Sequence, residues 1–283
     1  MNAHRHLRVL AAALGVAAAA GVATAQEPER GRGDVVLATT TSLYDTGLLD
    51  SLGPLFTRRT GYTLRTVAVG SGQALRMGER GDADVILAHS PAAEAAFMGA
   101  GHGRRRVVVA SNYFTIAGPS EDPAGVRQAA SAAEALGRSA RSGAVFVSRG
   151  DSSGTHQREL ALWRDAGGRP DWPGYLETGQ GMSASLLVAD ERRGYTLTDR
   201  ATLDALRRRV DLVALRGAEP ALLNVYHVIE VSPAGRPRVN AAGARAFADF
   251  VSSVEVQDLI ASYGLARFGE PLFVPARGRE PPP

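Results

Sequence analysis

Asp34-Val35-Val36-Leu37-Ala38-Thr39-Thr40-Thr41-Ser42 begins as an apolar run of strand length and ends in four consecutive hydroxyl side chains. Just downstream, Leu48, Leu52 and Leu55 recur at helical spacing, with Leu49 and Phe56 beside them. A strand that ends in small polar residues and yields to a helix is one half of a β–α–β unit. The scheme repeats with a strand at Thr63 to Val69, the turn Gly70-Ser71-Gly72 and a helix from Gln73 to Gly78. It continues with Asp84 to Ala88 and a helix opened by Pro91 and running to about Ala100. Val107 to Ala117 reads as one long strand. Beyond it, helices are predicted at Ser131 to Gly137, Thr155 to Ala166, Met182 to Arg192 and Asp199 to Arg208. Strands are predicted at Ala144 to Ser148, Tyr195 to Thr198, Leu212 to Leu215 and Leu223 to Val231, and a last helical region at Asn240 to Tyr263. The alternation predicts an α/β fold with largely parallel sheets. Two long strands, 107–117 and 223–231, bracket the middle third. A two-lobed chain crossing twice between its lobes has this form, and a single doubly wound domain would alternate similarly.

Composition narrows the function. The chain has 283 residues, 45% hydrophobic and 22% charged, which suits ordinary globular cores. It has no Cys, so disulfides, Cys-type zinc sites, a cysteine nucleophile and a lipidated N-terminal Cys are excluded. Every basic residue is Arg, and this accounts for a pI near 9.6 better than a nucleic-acid patch does. The net charge of +3 falls to +1 once Arg5 and Arg8 leave with the leader, so no nucleic-acid partner is expected. That leader has a basic start at His4, Arg5, His6 and Arg8, an apolar stretch from Val9 to Val22, and small residues at Ala23-Thr24-Ala25. Residues 1–25 are therefore expected to be a signal peptide, cleaved before Gln26. A mature protein with no lipid anchor belongs in a periplasm. The tail at 275–283, ending in three prolines, is expected to be disordered.

Three turns share one design: Thr39-Thr40-Thr41-Ser42, Gly70-Ser71-Gly72, and Ser148-Arg149-Gly150-Asp151-Ser152-Ser153-Gly154-Thr155. Each follows a strand and opens a helix, where exposed N–H groups and the helix dipole favour an anion. Hydroxyls add donors, and glycine lets backbone approach closely. In an open α/β sheet all three would lie at the carboxyl ends of strands, where ligands bind. Any one alone is an ordinary helix cap; three together, one with an Arg, point to an anion. Arg149 is the one full positive charge among neutral donors. Asp151 is read as its i, i+2 partner, and Asp45 as serving its own helix start. Arg104-Arg105-Arg106 reads as a solvated loop before a strand. Enzyme readings find less support. Ser153 and His156 lie close in sequence but lack a nucleophile elbow. The histidines show no metal spacing, and neither a P-loop nor a G-x-G-x-x-G run occurs.

These motifs together resemble the tungstate-binding proteins of ABC importers. The resemblance rests on Ala38 to Ser42 with Asp45-Thr46-Gly47-Leu48-Leu49, on Val67 to Leu75, and on Gly81-Asp82-Ala83-Asp84-Val85. It continues through Phe146 to Thr155, Glu177-Thr178-Gly179-Gln180-Gly181-Met182 and Tyr195 to Arg200, in the same order, over about residues 34 to 265. It implies a two-lobed, type II periplasmic binding protein, each lobe a mainly parallel sheet flanked by helices. Lobe I would be 34–112 with 223–268, and lobe II 113–222. The resemblance implies ligand donors at Thr40, Thr41, Ser42 and Ser71 in lobe I, and at Arg149, Ser153, Gly154 and Thr155 in lobe II. Further contacts are implied at the Gly181–Met182 backbone and at Tyr195. Ser71 stands where many relatives carry Thr, which keeps the hydroxyl. The implied protein is a monomer without cofactor, metal-ion site or catalysis. It would take tungstate or molybdate to an inner-membrane ABC permease with its ATPase. A phosphate-binding protein is the main rival, since Arg149, Asp151, Ser153, Gly154 and Thr155 also fit its Arg-x-Asp-x-Ser-Gly-Thr pattern. A secreted hydrolase using Ser153 is the other.

Overall fold

The computed structural model describes residues 32–281, and the expected signal peptide lies outside them. In chain order the elements begin with β1 (Gly33–Thr40), α1 (Thr41–Asp45), α2 (Leu48–Thr60), β2 (Tyr62–Val69), α3 (Ser71–Arg80), β3 (Val85–Ala88), α4 (Pro91–Gly99) and β4 (Gly103–Gly118). The middle supplies α5 (Ala132–Arg141), β5 (Phe146–Ser148), α6 (Gly154–Asp165), β6 (Tyr175–Glu177), α7 (Met182–Glu191), β7 (Tyr195–Asp199), α8 (Arg200–Leu206) and β8 (Val213–Gly217). The chain returns through β9 (Leu223–Val231), α9 (Ala241–Val251), α10 (Val254–Ser262) and β10 (Val274–Pro275).

The strands hydrogen-bond in the order β2-β1-β3-β9-β4-β7-β5-β6, with β8 and β10 also on β4. β1 runs parallel to β2 and β3, and β5 parallel to β6 and β7. β9 is antiparallel to β3 and β4. Burial along β1 is nearly continuous from Val35, as a parallel sheet covered on both faces requires. β4 is the long element, spanning about 50 Å at strand rise. As far as Tyr113 its partners are β9 and, at Ala110–Ser111, β10; from Phe114 onward its partners are β7 and β8. One continuous strand thus serves two groups of strands. Each group has apolar clusters of its own: Val35, Leu52, Phe56 and Phe247 in one, Ile86, Phe97 and Val231 in another. The second group is packed by Phe114, Phe146 and Trp163 and by Met182, Leu186 and Leu203. Contacts between the groups are dense enough that the described residues form one unit.

Four expectations change. The helix expected from Asn240 to Tyr263 is two helices, broken at Ser252–Ser253 because the Ser253 hydroxyl caps the Val256 N–H. Arg104-Arg105-Arg106 is not a loop. It lies in β4, where Arg105 pairs with Glu230 at 3.1 Å and Arg106 with the buried Glu94 at 3.0 Å. The tail expected to be disordered from 275 is pinned over its described part. Val274–Pro275 pairs with β4, the Arg277 N–H donates to Gln257 Oε1 at 2.7 Å, and Glu280 accepts from His227 at 3.1 Å. The short strand β6 was not foreseen, because three residues between glycine- and proline-rich segments show no period; it is held by Tyr175 stacked on Phe146. Among the described residues no helix is long and apolar enough to cross a membrane.

α3 lies directly on the sheet at Gly78. A Cβ there would sit 2.6 Å from Ile86 Cδ1, 3.0 Å from Phe97 and 3.2 Å from Val231. Gly78→Val should therefore cost roughly 1–3 kcal/mol by overpacking. Urea unfolding should show a lower midpoint; an unchanged midpoint would mean the interface repacks freely.

Candidate oxyanion site

The carboxyl ends of β1, β2, β5 and β6 bring four helix starts together. Thr40 closes β1 and caps α1, its hydroxyl accepting the Leu43 N–H at 3.3 Å and lying 3.3 Å from Ser42 Oγ. α3 starts at Ser71 behind Gly70, and α7 at Met182 behind Gly181. Neither glycine can cap with a side chain, so the first-turn N–H groups of both helices have no internal acceptor. Ser153 does cap α6, accepting the His156 N–H at 3.3 Å.

Close approach ties these starts into one cleft. A Cβ on Gly154 would lie 2.6 Å from the His89 carbonyl oxygen, so only glycine lets α6 meet the end of β3. A Cβ on Gly70 would lie 3.7 Å from Ser153, and one on Gly181 3.4 Å from Thr41 Oγ1. Arg149 Nη2 donates to Thr41 Oγ1 at 3.4 Å across the cleft. Thr202 donates to the Ser42 carbonyl at 3.3 Å. Asp45 accepts from Ser183 of α7 rather than serving its own helix start, because α7 packs against α1.

The turn that carries Arg149 is built tightly. Gly150 and Ser152 both have positive φ, 61° and 59°. For Ser152 that conformation costs about 1 kcal/mol or more, a strain typical of binding turns. Beneath the turn, the buried Glu159 accepts from Ser148 at 2.7 Å, Tyr175 at 2.8 Å and Trp163 at 3.1 Å. Burial raises the Glu159 pKa. Arg149 is 2% exposed and pairs with Asp151, whose other oxygen accepts the Ser153 N–H at 3.1 Å. Both Asp151 oxygens are thus engaged on their own turn.

Few polar atoms are left over. Five buried side-chain atoms among the described residues have no partner within the protein, and three belong here: Ser71 Oγ, Thr155 Oγ1 and Arg149 Nε. All three can donate. Such a group left without a partner costs about 1–3 kcal/mol, so the arrangement favours a ligand rich in acceptors. Ser153 Oγ and the His156 ring are not hydrogen-bonded to each other as a nucleophile and base would be. Ser153 Oγ accepts from the His156 backbone, and the His156 ring accepts the Ser152 N–H at 3.0 Å.

The structure brings together Thr40, Thr41, Ser42, Ser71, Arg149, Ser153, Gly154, Thr155 and the start of α7. It does not bring Tyr195. That ring is 0% exposed inside the second group's core, its hydroxyl donating to Asp122 at 3.1 Å and accepting the Ala124 N–H at 2.9 Å. Burial raises its pKa to about 12. The Met182 side chain is likewise core, which leaves only its backbone at the cleft. His89 has no metal spacing in the sequence. Yet it follows β3, and the strand-end rule that found the other turns also picks it out. Its ring lies 3.3 Å from Ser42 Oγ and 2.9 Å from Asn224 Oδ1.

Comparison with known proteins adds the following. Residues 18–255 match the PBP superfamily domain. The chain is 42% identical to the tungstate-binding protein TupA of Peptoclostridium acidaminophilum, across 96% of this chain and 98% of that protein. A solved structure of the tungstate ABC transporter from Geobacter sulfurreducens superposes with a TM-score of 0.75 at 43% identity, covering 81% of this chain and 98% of that one. The tungstate-binding protein TupA from Desulfovibrio alaskensis G20 superposes with a TM-score of 0.70 at 43% identity, covering 86% and 98%.

Burial, and then the Arg149 charge, push the His89 pKa down from 6.5 to about 4. The unfolded chain therefore binds a proton that the folded one refuses between those values, so stability rises with pH across that window. Acidification from pH 7 to about 4 should cost on the order of 3 kcal/mol from this group. Urea unfolding across that range should show a shallower pH slope for His89→Gln than for wild type; equal slopes would assign the acid sensitivity elsewhere.

Proposed function

This chain belongs to the PBP superfamily and, within it, to the family of tungstate-binding proteins, and from that premise we propose that it captures tungstate, or molybdate, for an ABC importer. It acts as an exported, periplasmic monomer that binds without catalysis and delivers the anion to an inner-membrane permease driven by its ATPase. We assign lobe I to residues 34–112 and 223–268 and lobe II to 113–222. The change of β4 partners between Tyr113 and Phe114 supports that boundary. Donors come from both sides of it, so the anion bridges the lobes and favours the closed form over the open one.

The observation that carries this reading is the excess of unpartnered donors at the cleft beside a carboxylate already engaged on its own turn. Tungstate and molybdate are fully deprotonated dianions at neutral pH and can only accept hydrogen bonds. Ser71, Thr155 and Arg149 supply buried donors, while Gly70 and Gly181 leave helix N–H groups uncapped. Inorganic phosphate keeps at least one proton and needs an acceptor aimed at it. Asp151 is the carboxylate on the Arg149 turn, and both its oxygens are already engaged. A phosphate proton facing a donor is a buried mismatch of roughly 1–3 kcal/mol. Calorimetric titration of ligand-free protein should show tight tungstate binding and little or none for phosphate; tighter phosphate binding would reverse the assignment.

Arg149 offers a charge-assisted bond of about 1.5–3 kcal/mol. Its removal would also leave the Asp151 charge without its partner beside the anion. Arg149→Ala should weaken tungstate binding at least about tenfold with circular dichroism unchanged. Arg149→Lys should restore only part, since a point charge cannot reproduce the guanidinium fork. Wild-type affinity in Arg149→Ala would remove this residue from the site.

A further inference from the structure

His89 is a buried group beside the cleft that anion capture as described leaves unused. Its ring lies between Ser42 Oγ, 3.3 Å from Nε2, and Asn224 Oδ1, 2.9 Å from Nδ1. Arg149 and Asp151 are the charged groups whose fields reach the ring, and the Phe114 and Tyr226 rings flank it. With its pKa near 4 the ring is neutral at pH 7, holds one N–H proton, and can donate from one nitrogen at a time. Here Nδ1–H donates to Asn224 Oδ1. Nε2 is then an acceptor, and the Ser42 hydroxyl is the donor facing it. A hydroxyl has a single proton, so Ser42 in this arrangement has none to give an oxyanion.

The chain of contacts runs further. Asn224 Nδ2 donates to Asn112 Oδ1 at 2.8 Å and to the Tyr226 hydroxyl oxygen at 2.9 Å. Asn112 Nδ2 is buried and has no partner within the protein. Asn112 and Asn224 are register partners on β4 and β9, one pair before β4 changes partners.

We propose that His89, Asn224 and Asn112 form a tautomer relay that releases the Ser42 hydroxyl to the bound oxyanion; this rests on the oxyanion reading of the site. In the ligand-bound arrangement both amides are turned half a rotation. Asn224 Nδ2 donates to His89 Nδ1, and Asn224 Oδ1 accepts from Asn112 Nδ2 and the Tyr226 hydroxyl. The N–H bond at Nδ1 breaks and one at Nε2 forms, with water carrying the proton, so the ring stays neutral. Nε2–H then donates to Ser42 Oγ, whose own proton turns to the ligand. The same change gives Asn112 Nδ2 the acceptor it otherwise lacks. His89 is in this sense a positioning residue, and it joins the anion site to the strand that both groups of strands share.

The test is the ring's proton position in ¹⁵N-histidine-labelled protein, read at neutral pH by long-range ¹H–¹⁵N correlation. The signal lost in His89→Gln assigns the residue. Without ligand, Nδ1 should carry the proton; with saturating sodium tungstate, it should move to Nε2. Asn112→Asp offers Asn224 only acceptors, so there Nδ1 should keep its proton even with tungstate bound. The added charge would itself weaken anion binding, so the tautomer rather than the affinity decides. An unchanged wild-type tautomer in a sample whose calorimetry shows tungstate bound overturns the relay. Absence of tungstate binding in wild type overturns the oxyanion reading, and the relay with it.

Discussion

A dianion taken out of water must be met by groups that donate, and those groups must be fixed before it arrives. The construction around Arg149 meets both demands. A buried guanidinium with no partner would be costly, but Asp151 on the same turn neutralises it while leaving Nε free within the protein. Asp151 in turn takes the Ser153 N–H, so the acceptor that could have faced the ligand is consumed in shaping the turn. Ser148 and Glu159 hold that turn from below, and Tyr175 and Trp163 satisfy Glu159. The polar atoms that remain without partners at the cleft can all donate.

The sheet is what aims those donors at one place. β1, β2 and β3 run parallel, so the turns after them emerge on the same side; β5 and β7 do the same in the second group. β4 belongs to both groups, and the edges of the two face each other across the place where it changes partners. On the proposed two-lobed reading, a rotation there would move Arg149 and the α6 start relative to Thr41 and Ser71. The Asn112–Asn224 pair sits beside this point and reaches the cleft through His89.

Much of this was legible in the residues. A strand run followed by hydroxyls or glycines and then a helix located three of the turns, because strand ends in α/β sheets are set by local patterns that a sequence displays. The Arg149–Asp151 pair, two positions apart on one turn, was legible for the same reason. What failed was non-local. Tyr195 lies in a strand adjoining the site strand, and nothing in its neighbours reveals that Asp122, 73 positions away, takes its hydroxyl. Asp45 looked like a helix-start carboxylate until α7 brought Ser183 to it. The break in the last helix was local and could have been seen, since Ser253 with Glu255 and Val256 behind it makes an ordinary N-cap. The setting of His89 is illegible for the same non-local reason, since its partners Ser42 and Asn224 lie 47 and 135 positions away.

The two anions the family reading allows carry the same charge and no proton, so donors alone see little difference between them. Discrimination then falls to distance. Backbone sets the distances here: Gly154 permits contact with the His89 carbonyl, and Gly70 and Gly181 bring α3 and α7 against the opposing turns. Side-chain walls could shift by changing rotamer to suit a slightly larger or smaller ligand. Walls made of helix starts and glycine contacts move only with whole elements, and those elements are anchored by apolar clusters on each group of strands. If the proposed closure holds, a cleft built this way would report small differences in anion radius as differences in how completely it closes, and selectivity would be a property of the closing equilibrium rather than of any single donor.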